Sequence, residues 1–129
     1  MRVLHLYGDS RWTGAAEPTL ELCCELRALG VDVSLACNPE EPEVLNSLPR
    51  QALKRGVPLC FDFALNRRLN ALDNLRDIRR LGAYCEREEI DLLHAHFTHD
   101  HVIGGMAARW SQRQTRIVRT NHKAVATPP

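Results

Sequence analysis

Four of the six histidines in this 129-residue chain lie within one eight-residue segment, His94-Ala95-His96-Phe97-Thr98-His99-Asp100-His101. Imidazoles and a carboxylate are common zinc ligands, so the segment could bind a metal. An imidazole can also hydrogen-bond sugar hydroxyls or relay a proton near neutral pH. The sequence leaves three interpretations open: a metal site, a substrate-binding and catalytic loop, or histidines with a purely structural role.

We expect different roles for these histidines. His96 should stand at the carboxyl end of a strand, where its ring could reach a ligand, whereas His94 lies within the strand and is interpreted as a core residue. His101 is interpreted as a residue at the start of a helix. The segment matches the HxHxDH signature of metallo-β-lactamase-like hydrolases only in part, because two extra residues separate its halves. We therefore predict no metal, and a metal-dependent hydrolase using the His94–His101 cluster is the alternative.

A second candidate is the loop Gly8-Asp9-Ser10-Arg11-Trp12-Thr13-Gly14. It leads into a predicted helix, whose free N–H groups and dipole favour an anion. The loop has neither the GK[ST] of a P-loop nor the GxGxxG dinucleotide fingerprint. A tight connection that needs glycine only for its backbone geometry is the alternative.

A third candidate is the polar end of the last predicted strand, formed by Arg119, Thr120, Asn121 and His122. These residues could line the same crevice from its far side. For Arg119, an ordinary polar strand end is the alternative interpretation.

The elements that must position these loops alternate between strand and helix. Strands are predicted at residues 2–7, 31–37, 57–61, 90–95 and 115–120. Helices are predicted at residues 15–29, 69–88 and 101–112, with an irregular helical segment at 42–55. Pro49 is expected to break that segment, and Asp100 is expected to be the N-cap of the last helix.

Alternation of this kind predicts right-handed crossovers and a doubly wound, Rossmann-like parallel sheet. Its simplest strand order is 3-2-1-4-5, with a topological switch between strands one and four. Ligands bind beyond the carboxyl ends of the strands at such a switch. The sequence therefore predicts that loops 8–14 and 96–100 form one site.

Composition excludes several classes of protein. The 17 Lys and Arg residues balance 16 Asp and Glu residues, which argues against a nucleic-acid footprint. A weak basic cluster is interpreted as a solvated helix face: Arg67, Arg68, Arg76, Arg79 and Arg80. No apolar run has the length of a membrane span. Five cysteines without a CxxC pair predict a reducing, cytoplasmic compartment and no disulfide framework.

Five blocks of the sequence, taken in order, resemble the N-terminal domain of the family 4 glycosyltransferases, which have the GT-B fold. They are MRVLHLYGDSRWTGAAE, ALGVDVSLAC, GVPLCFDF, IDLLHAHFTHDHVIGGMAAR and IVRTNH. The block at strand four is the most specific of them, because a hydrophobic-His-Ala-His run precedes a helix rich in glycine and alanine. The resemblance runs over the whole chain.

The resemblance implies transfer of a sugar from a nucleotide-diphosphate-sugar to an acceptor hydroxyl, with retention of the anomeric configuration and without a catalytic metal or other cofactor. The N-terminal domain of such enzymes mainly binds the acceptor, here a glycan or a lipid-linked molecule. A C-terminal domain holds most of the nucleotide. No part of residues 1–129 resembles that domain, and the end of the N-terminal domain is itself expected to be missing, so we expect an incomplete N-terminal domain that is inactive alone.

The resemblance also implies roles for single residues. Gly14 and Ala15 would approach the donor diphosphate, although Ala15 stands where the family has a second glycine and its Cβ limits the approach. His96 would hydrogen-bond the donor sugar or the reacting face and would not be a nucleophile. Four residues would meet the acceptor by their position: Thr98, His99, Asp100 and Arg119.

Two further expectations concern context. The parent enzyme is expected in the cytoplasm, and proteins of this family can make peripheral contact with the inner face of the membrane. A non-enzymatic alternative is a Rossmann module that docks a separate catalytic subunit, which would expose an apolar surface.

Overall fold

The computed structural model describes residues 1–66 and 70–122. Its strands are β1 (Arg2–Tyr7), β2 (Asp32–Cys37), β3 (Leu59–Cys60), β4 (Leu92–Ala95) and β5 (Arg116–Arg119). Its helices are α1 (Ala16–Ala28), α2 (Leu48–Lys54), α3 (Ala71–Arg87) and α4 (Thr98–Trp110). Arg67, Arg68 and the first residue of the helix predicted at 69–88 lie outside the described residues.

The five strands form one sheet of order β3-β2-β1-β4-β5, and every pairing is parallel. The predicted topology is therefore confirmed, including the switch between the first and fourth strands. In the register of β1 and β4, His5 is opposite His94. Paired residues of neighbouring strands point to the same face of the sheet, so these two imidazoles lie side by side.

Each face of the sheet has its own hydrophobic core. One core joins Leu4, Leu6 and Leu93 to side chains of α3 and α4. The other joins Val3 and Tyr7 to side chains of α1 and α2. Because side chains alternate along a strand, His5, His94 and His96 fall on the face of Val3 and Tyr7.

The prediction that Pro49 breaks a helix is wrong. Pro49 lies in the first turn of α2, after the N-cap residue Ser47. The Ser47 hydroxyl accepts a hydrogen bond from the Arg50 N–H at 3.2 Å. Proline is tolerated there because an N–H group in the first turn has no helical partner to lose.

The prediction that Asp100 is an N-cap is also wrong. Helix α4 begins at Thr98, with Phe97 at the N-cap position, and Asp100 lies inside the first turn. A carboxylate in this turn still complements the positive end of the helix dipole.

The five cysteines are free thiols, as predicted. Burial raises the pKa of Cys23 and of Cys37 to about 12, so both thiols stay protonated at neutral pH. Within the described part of the chain, no helix combines the length and apolarity needed to cross a membrane.

Candidate functional site

The loops that follow β1 and β4 meet at the carboxyl edge of the sheet. The Gly8 N–H donates to the Asp100 carboxylate at 2.8 Å, and the His96 N–H donates to the Leu6 carbonyl at 3.2 Å. The first bond joins the start of the first loop to the first turn of α4, and the second joins the residue after β4 to β1. The two loops predicted to meet at the topological switch are therefore in contact.

Three imidazoles, from β1, β4 and the residue after β4, pack together on one face of the sheet. The ring of His94 stacks on His5 at a centroid separation of 4.6 Å and on His96 at 4.5 Å. The rings of His94 and His96 are parallel to within 5°. His5 is fully buried and His96 is 2% exposed.

Two of these rings, His5 and His96, form a chain of hydrogen bonds with a fourth imidazole, His122. His5 Nδ1 lies 2.9 Å from His96 Nε2, and His96 Nδ1 lies 3.0 Å from His122 Nε2. Ring centroids are 5.2 Å apart in both pairs, the separation of rings that meet edge to edge. His94 stands outside this chain and bonds to the Thr120 hydroxyl at 2.5 Å.

Helix α1 is tied to the same cluster. The Thr19 hydroxyl lies 3.3 Å from His96 Nδ1 and donates its proton to the Ala15 carbonyl at 2.8 Å. Ala15 is the N-cap residue of α1 and makes no side-chain cap. Gly14 is exposed, and a Cβ built on it would meet no atom within 4 Å. The Thr19 side chain therefore connects His96 to the start of α1.

Burial makes the imidazole cluster weakly basic. Desolvation lowers the pKa of His5 to about 3 and that of His96 to about 2, and the neighbouring histidines add to both shifts. Burial likewise lowers the pKa values of His94 and His122. At neutral pH these rings are uncharged, and each carries one N–H donor and one bare nitrogen acceptor.

A cavity of about 350 Å³ opens beside this cluster, and its lining includes His96, Thr98, His99, Arg119 and His122. The Arg119 guanidinium donates to the Thr98 hydroxyl at 2.7 Å, which links the end of β5 to the start of α4. The structure thus brings His96 together with three of the four residues predicted for the acceptor side.

Asp100, the fourth residue, is not in this cavity lining. It is fully buried, and its carboxylate holds the Gly8 N–H. The geometry gives Asp100 a positioning contact with the loop, and its predicted contact with an acceptor stays a prediction.

The eight-residue histidine segment does not form one metal site. Within the described residues, the group that could hold an ion combines His94 and His96 with His5, whose ligand atoms lie within 4.8 Å of one another. His101 instead lines a groove between α4 and β5. An imidazole nitrogen binds zinc at about 2.0–2.1 Å along a lone pair in the ring plane. Stacked, parallel rings such as His94 and His96 cannot share an ion unless one of them rotates.

Two members of the site were missed by sequence reasoning. His5 is the only imidazole in the apolar run Arg2–Tyr7, and a polar residue in a buried strand is a signal that could have found it. Thr19 carries no such signal, because a threonine in a helix usually bonds to the preceding turn.

The comparisons with known proteins agree with this architecture. The family profile described as Glycosyltransferase Family 4 matches residues 12–128. No curated protein matches the sequence.

Three solved structures share the fold at low sequence identity. A glycosyltransferase from Rickettsia africae ESF-5 is 14% identical, with a TM-score of 0.77 over 98% of this chain and 31% of its own. MurG of Acinetobacter baumannii is 18% identical, with a TM-score of 0.65 over 97% of this chain and 36% of its own. The apo form of WaaB, a lipopolysaccharide outer core galactosyltransferase, is 9% identical, with a TM-score of 0.69 over 92% of this chain and 32% of its own. The chain spans about a third of the length of these proteins, and the predicted GT-B, Rossmann-like fold is confirmed.

Proposed function

The chain belongs to Glycosyltransferase Family 4, and from this membership we propose that residues 1–129 form the acceptor-side half of a glycosyltransferase. The parent enzyme moves a sugar from a nucleotide-diphosphate-sugar to the hydroxyl of a glycan or lipid-linked acceptor. It retains the anomeric configuration and uses neither a catalytic metal nor another cofactor. A second domain, outside residues 1–129, supplies most of the nucleotide site.

One observation carries this proposal. His96 lies at the topological switch point of a parallel sheet, is bonded to the first turn of α1, and lines a cavity at the carboxyl edge. This edge is where open α/β sheets bind their ligands. Thr98, His99 and Arg119 line the same cavity and would meet the acceptor hydroxyls.

The donor diphosphate belongs at the start of α1 in this proposal. Departure of a nucleotide diphosphate develops negative charge, which backbone N–H groups and the positive end of a helix can stabilise without a metal. Gly14 leaves open space for such an approach, and Ala15 makes no side-chain cap that would compete. Glu17 in the first turn limits the net attraction, so basic groups of the second domain must share the charge.

The proposal also extends to the location of the parent enzyme. Five free cysteines suit a reducing cytoplasm, and we propose that the enzyme works there, at the inner face of the membrane. No nucleic acid takes part, because the net formal charge is only +1.

The direct test is a transfer assay on the full-length natural protein with a panel of nucleotide sugars. Replacing His96 by alanine is expected to lower turnover about tenfold, the loss that corresponds to about 1.4 kcal/mol of hydrogen bonding. His101→Ala is the matched control, because that histidine lies on α4 outside the cavity. Equal turnover in His96→Ala and His101→Ala would show that His96 is not part of the site.

A metal-dependent hydrolase is the second candidate, because three imidazole nitrogens lie within 4.8 Å of one another. The parallel rings argue against it, so we expect purified protein to carry no stoichiometric transition metal. Elemental analysis by mass spectrometry measures this directly. One zinc per chain, lost in His94→Ala and kept in His101→Ala, would establish a metal site at this cluster and favour the hydrolase over the proposed function.

A further inference from the structure

The hydrogen bonds that link His5, His96 and His122 all run in one direction, from donor to acceptor. Thr19 determines which direction this is. The Thr19 hydroxyl has one proton, which it donates to the Ala15 carbonyl at 2.8 Å. Toward His96 Nδ1, at 3.3 Å, the same oxygen can then only accept. A hydrogen bond between these two atoms therefore requires His96 to carry its proton on Nδ1.

This assignment determines the two neighbouring rings. With the proton on Nδ1, His96 Nε2 is bare and accepts a hydrogen bond from His5 Nδ1–H at 2.9 Å. The same Nδ1–H is shared between the Thr19 oxygen at 3.3 Å and His122 Nε2 at 3.0 Å, so the His122 nitrogen must be bare. A neutral His122 then carries its own proton on Nδ1, on the ring edge turned away from His96.

The surroundings of His5, at the far end of the hydrogen-bond chain, agree with this direction. If His5 donates from Nδ1, its Nε2 is a bare acceptor, and in the described structure that atom is buried without a hydrogen-bond partner. Buried N–H donors without a partner are rarer in folded proteins than buried acceptors without one. The opposite direction would bury an N–H at this position.

We propose that His5, His96 and His122 form a one-directional hydrogen-bond chain, oriented by Thr19, which presents the Nδ1–H of His122 to the cavity as a donor toward an oxygen atom of the substrate. His122 is then the substrate-contacting imidazole, while Thr19, His5 and His96 are positioning residues. The identity of the ligand as a sugar hydroxyl or a phosphate oxygen rests on the proposed function. The direction of the hydrogen-bond chain does not rest on the proposed function.

The proposal limits what this cavity can do chemically. A neutral His122 that offers Nδ1–H has its bare nitrogen turned toward His96, so neither ring offers the cavity a base. The imidazoles therefore orient an oxygen and stabilise charge on it. A group other than these imidazoles must therefore accept the proton of the acceptor hydroxyl.

The test is ¹⁵N NMR of the full-length protein labelled at histidine, without any ligand, because the two neutral tautomers of an imidazole have distinct ring nitrogen shifts. We expect His96 and His122 to carry their protons on Nδ1, with signals assigned by their loss in His96→Gln and His122→Gln. Thr19→Val removes the accepting oxygen at nearly constant volume and is expected to shift His96 toward a mixture of tautomers. Thr19→Ser keeps the hydroxyl and should restore the wild-type shifts.

Two results would overturn the proposal. One is a His96 or His122 protonated on Nε2 in the wild-type protein. The other is an unchanged pair of His96 shifts in a folded Thr19→Val protein, since this would show that the threonine does not set the direction. Neither result depends on transferase activity, so a failure of the proposed function and a failure of this chain are separately visible.

Discussion

Replacing Gly8 by alanine is expected to lower the free energy of unfolding by about 3 kcal/mol, the upper end of the cost of overpacking a closed site. A Cβ on Gly8 would lie 2.6 Å from Asp100 Oδ1 and 2.8 Å from the Leu65 carbonyl oxygen. The second atom is backbone, and the first belongs to a fully buried side chain. Neither can retreat without moving an element of the fold.

The same substitution would disturb the contact that closes the site. The Gly8 N–H donates to the Asp100 carboxylate at 2.8 Å, so a displaced loop leaves a buried carboxylate with one fewer donor. Loss of that bond would separate the start of the first loop from the first turn of α4. We expect Gly8→Ala to weaken substrate binding as well as stability.

Urea unfolding at neutral pH measures the first effect, and Gly14→Ala is its matched control. Gly14 belongs to the same loop, but a Cβ there meets no atom within 4 Å, so a change within about 0.5 kcal/mol is expected. Equal free energies of unfolding for the two variants would show that Gly8 is not packed against Asp100 and the Leu65 carbonyl.

Acid is expected to destabilise the protein by about 2.7 kcal/mol between about pH 7.5 and pH 5.5, through His5 and His96 alone. Their folded-state pKa values of about 3 and about 2 lie far below the 6.5 of an exposed histidine. The unfolded chain therefore takes up protons as the pH falls through about 6.5, while the folded chain does not. Stability is fully present above that pH and is lost below it, by about 1.36 kcal/mol per histidine over this interval.

The rings around these two histidines act in the same direction. The pKa of His94 is lowered first by burial and then by His122, and the pKa of His122 is lowered by burial. Their protonation in the unfolded chain adds to the loss of stability in acid. Tyr7 also packs beside His96, with the two ring centroids 5.8 Å apart.

Urea unfolding at three pH values between 7.5 and 5.5 measures this slope. His5→Leu removes one titrating ring, so its pH-dependent loss should be smaller by about 1.4 kcal/mol, whatever its stability at neutral pH. A wild-type stability that stays constant over this range would show that the rings are accessible to protons in the folded state.

Much of the architecture could be predicted from local patterns. The alternation of apolar runs with helical stripes determined the parallel order β3-β2-β1-β4-β5, because crossover handedness and short connections leave few alternatives. The same rules placed His96 and the first loop at one edge of the sheet. The family resemblance then agreed with the profile that matches residues 12–128.

The local errors have equally local causes. Pro49 was expected to break a helix, but the register of Ser47 placed the proline in the first turn, where its missing N–H costs nothing. Asp100 matches the preferred residue types for an N-cap, yet α4 starts earlier, because the Asp100 carboxylate is used by Gly8, far away in the sequence. A capping preference of about 1 kcal/mol is easily outweighed by such a tertiary contact.

The sequence by itself thus determined the sheet, its switch point and the loops that meet there, since these follow from periodicity and chirality. Only the tertiary structure decided which imidazoles meet. His5 and His96 are 91 positions apart, and Thr19 and His96 are 77 apart, so no local pattern links them. Strand register across β1 and β4 puts His5 opposite His94, and the packing of α1 on that face adds the Thr19 hydroxyl. The direction of the imidazole chain follows from that single oxygen, which explains why composition and spacing could not reveal it.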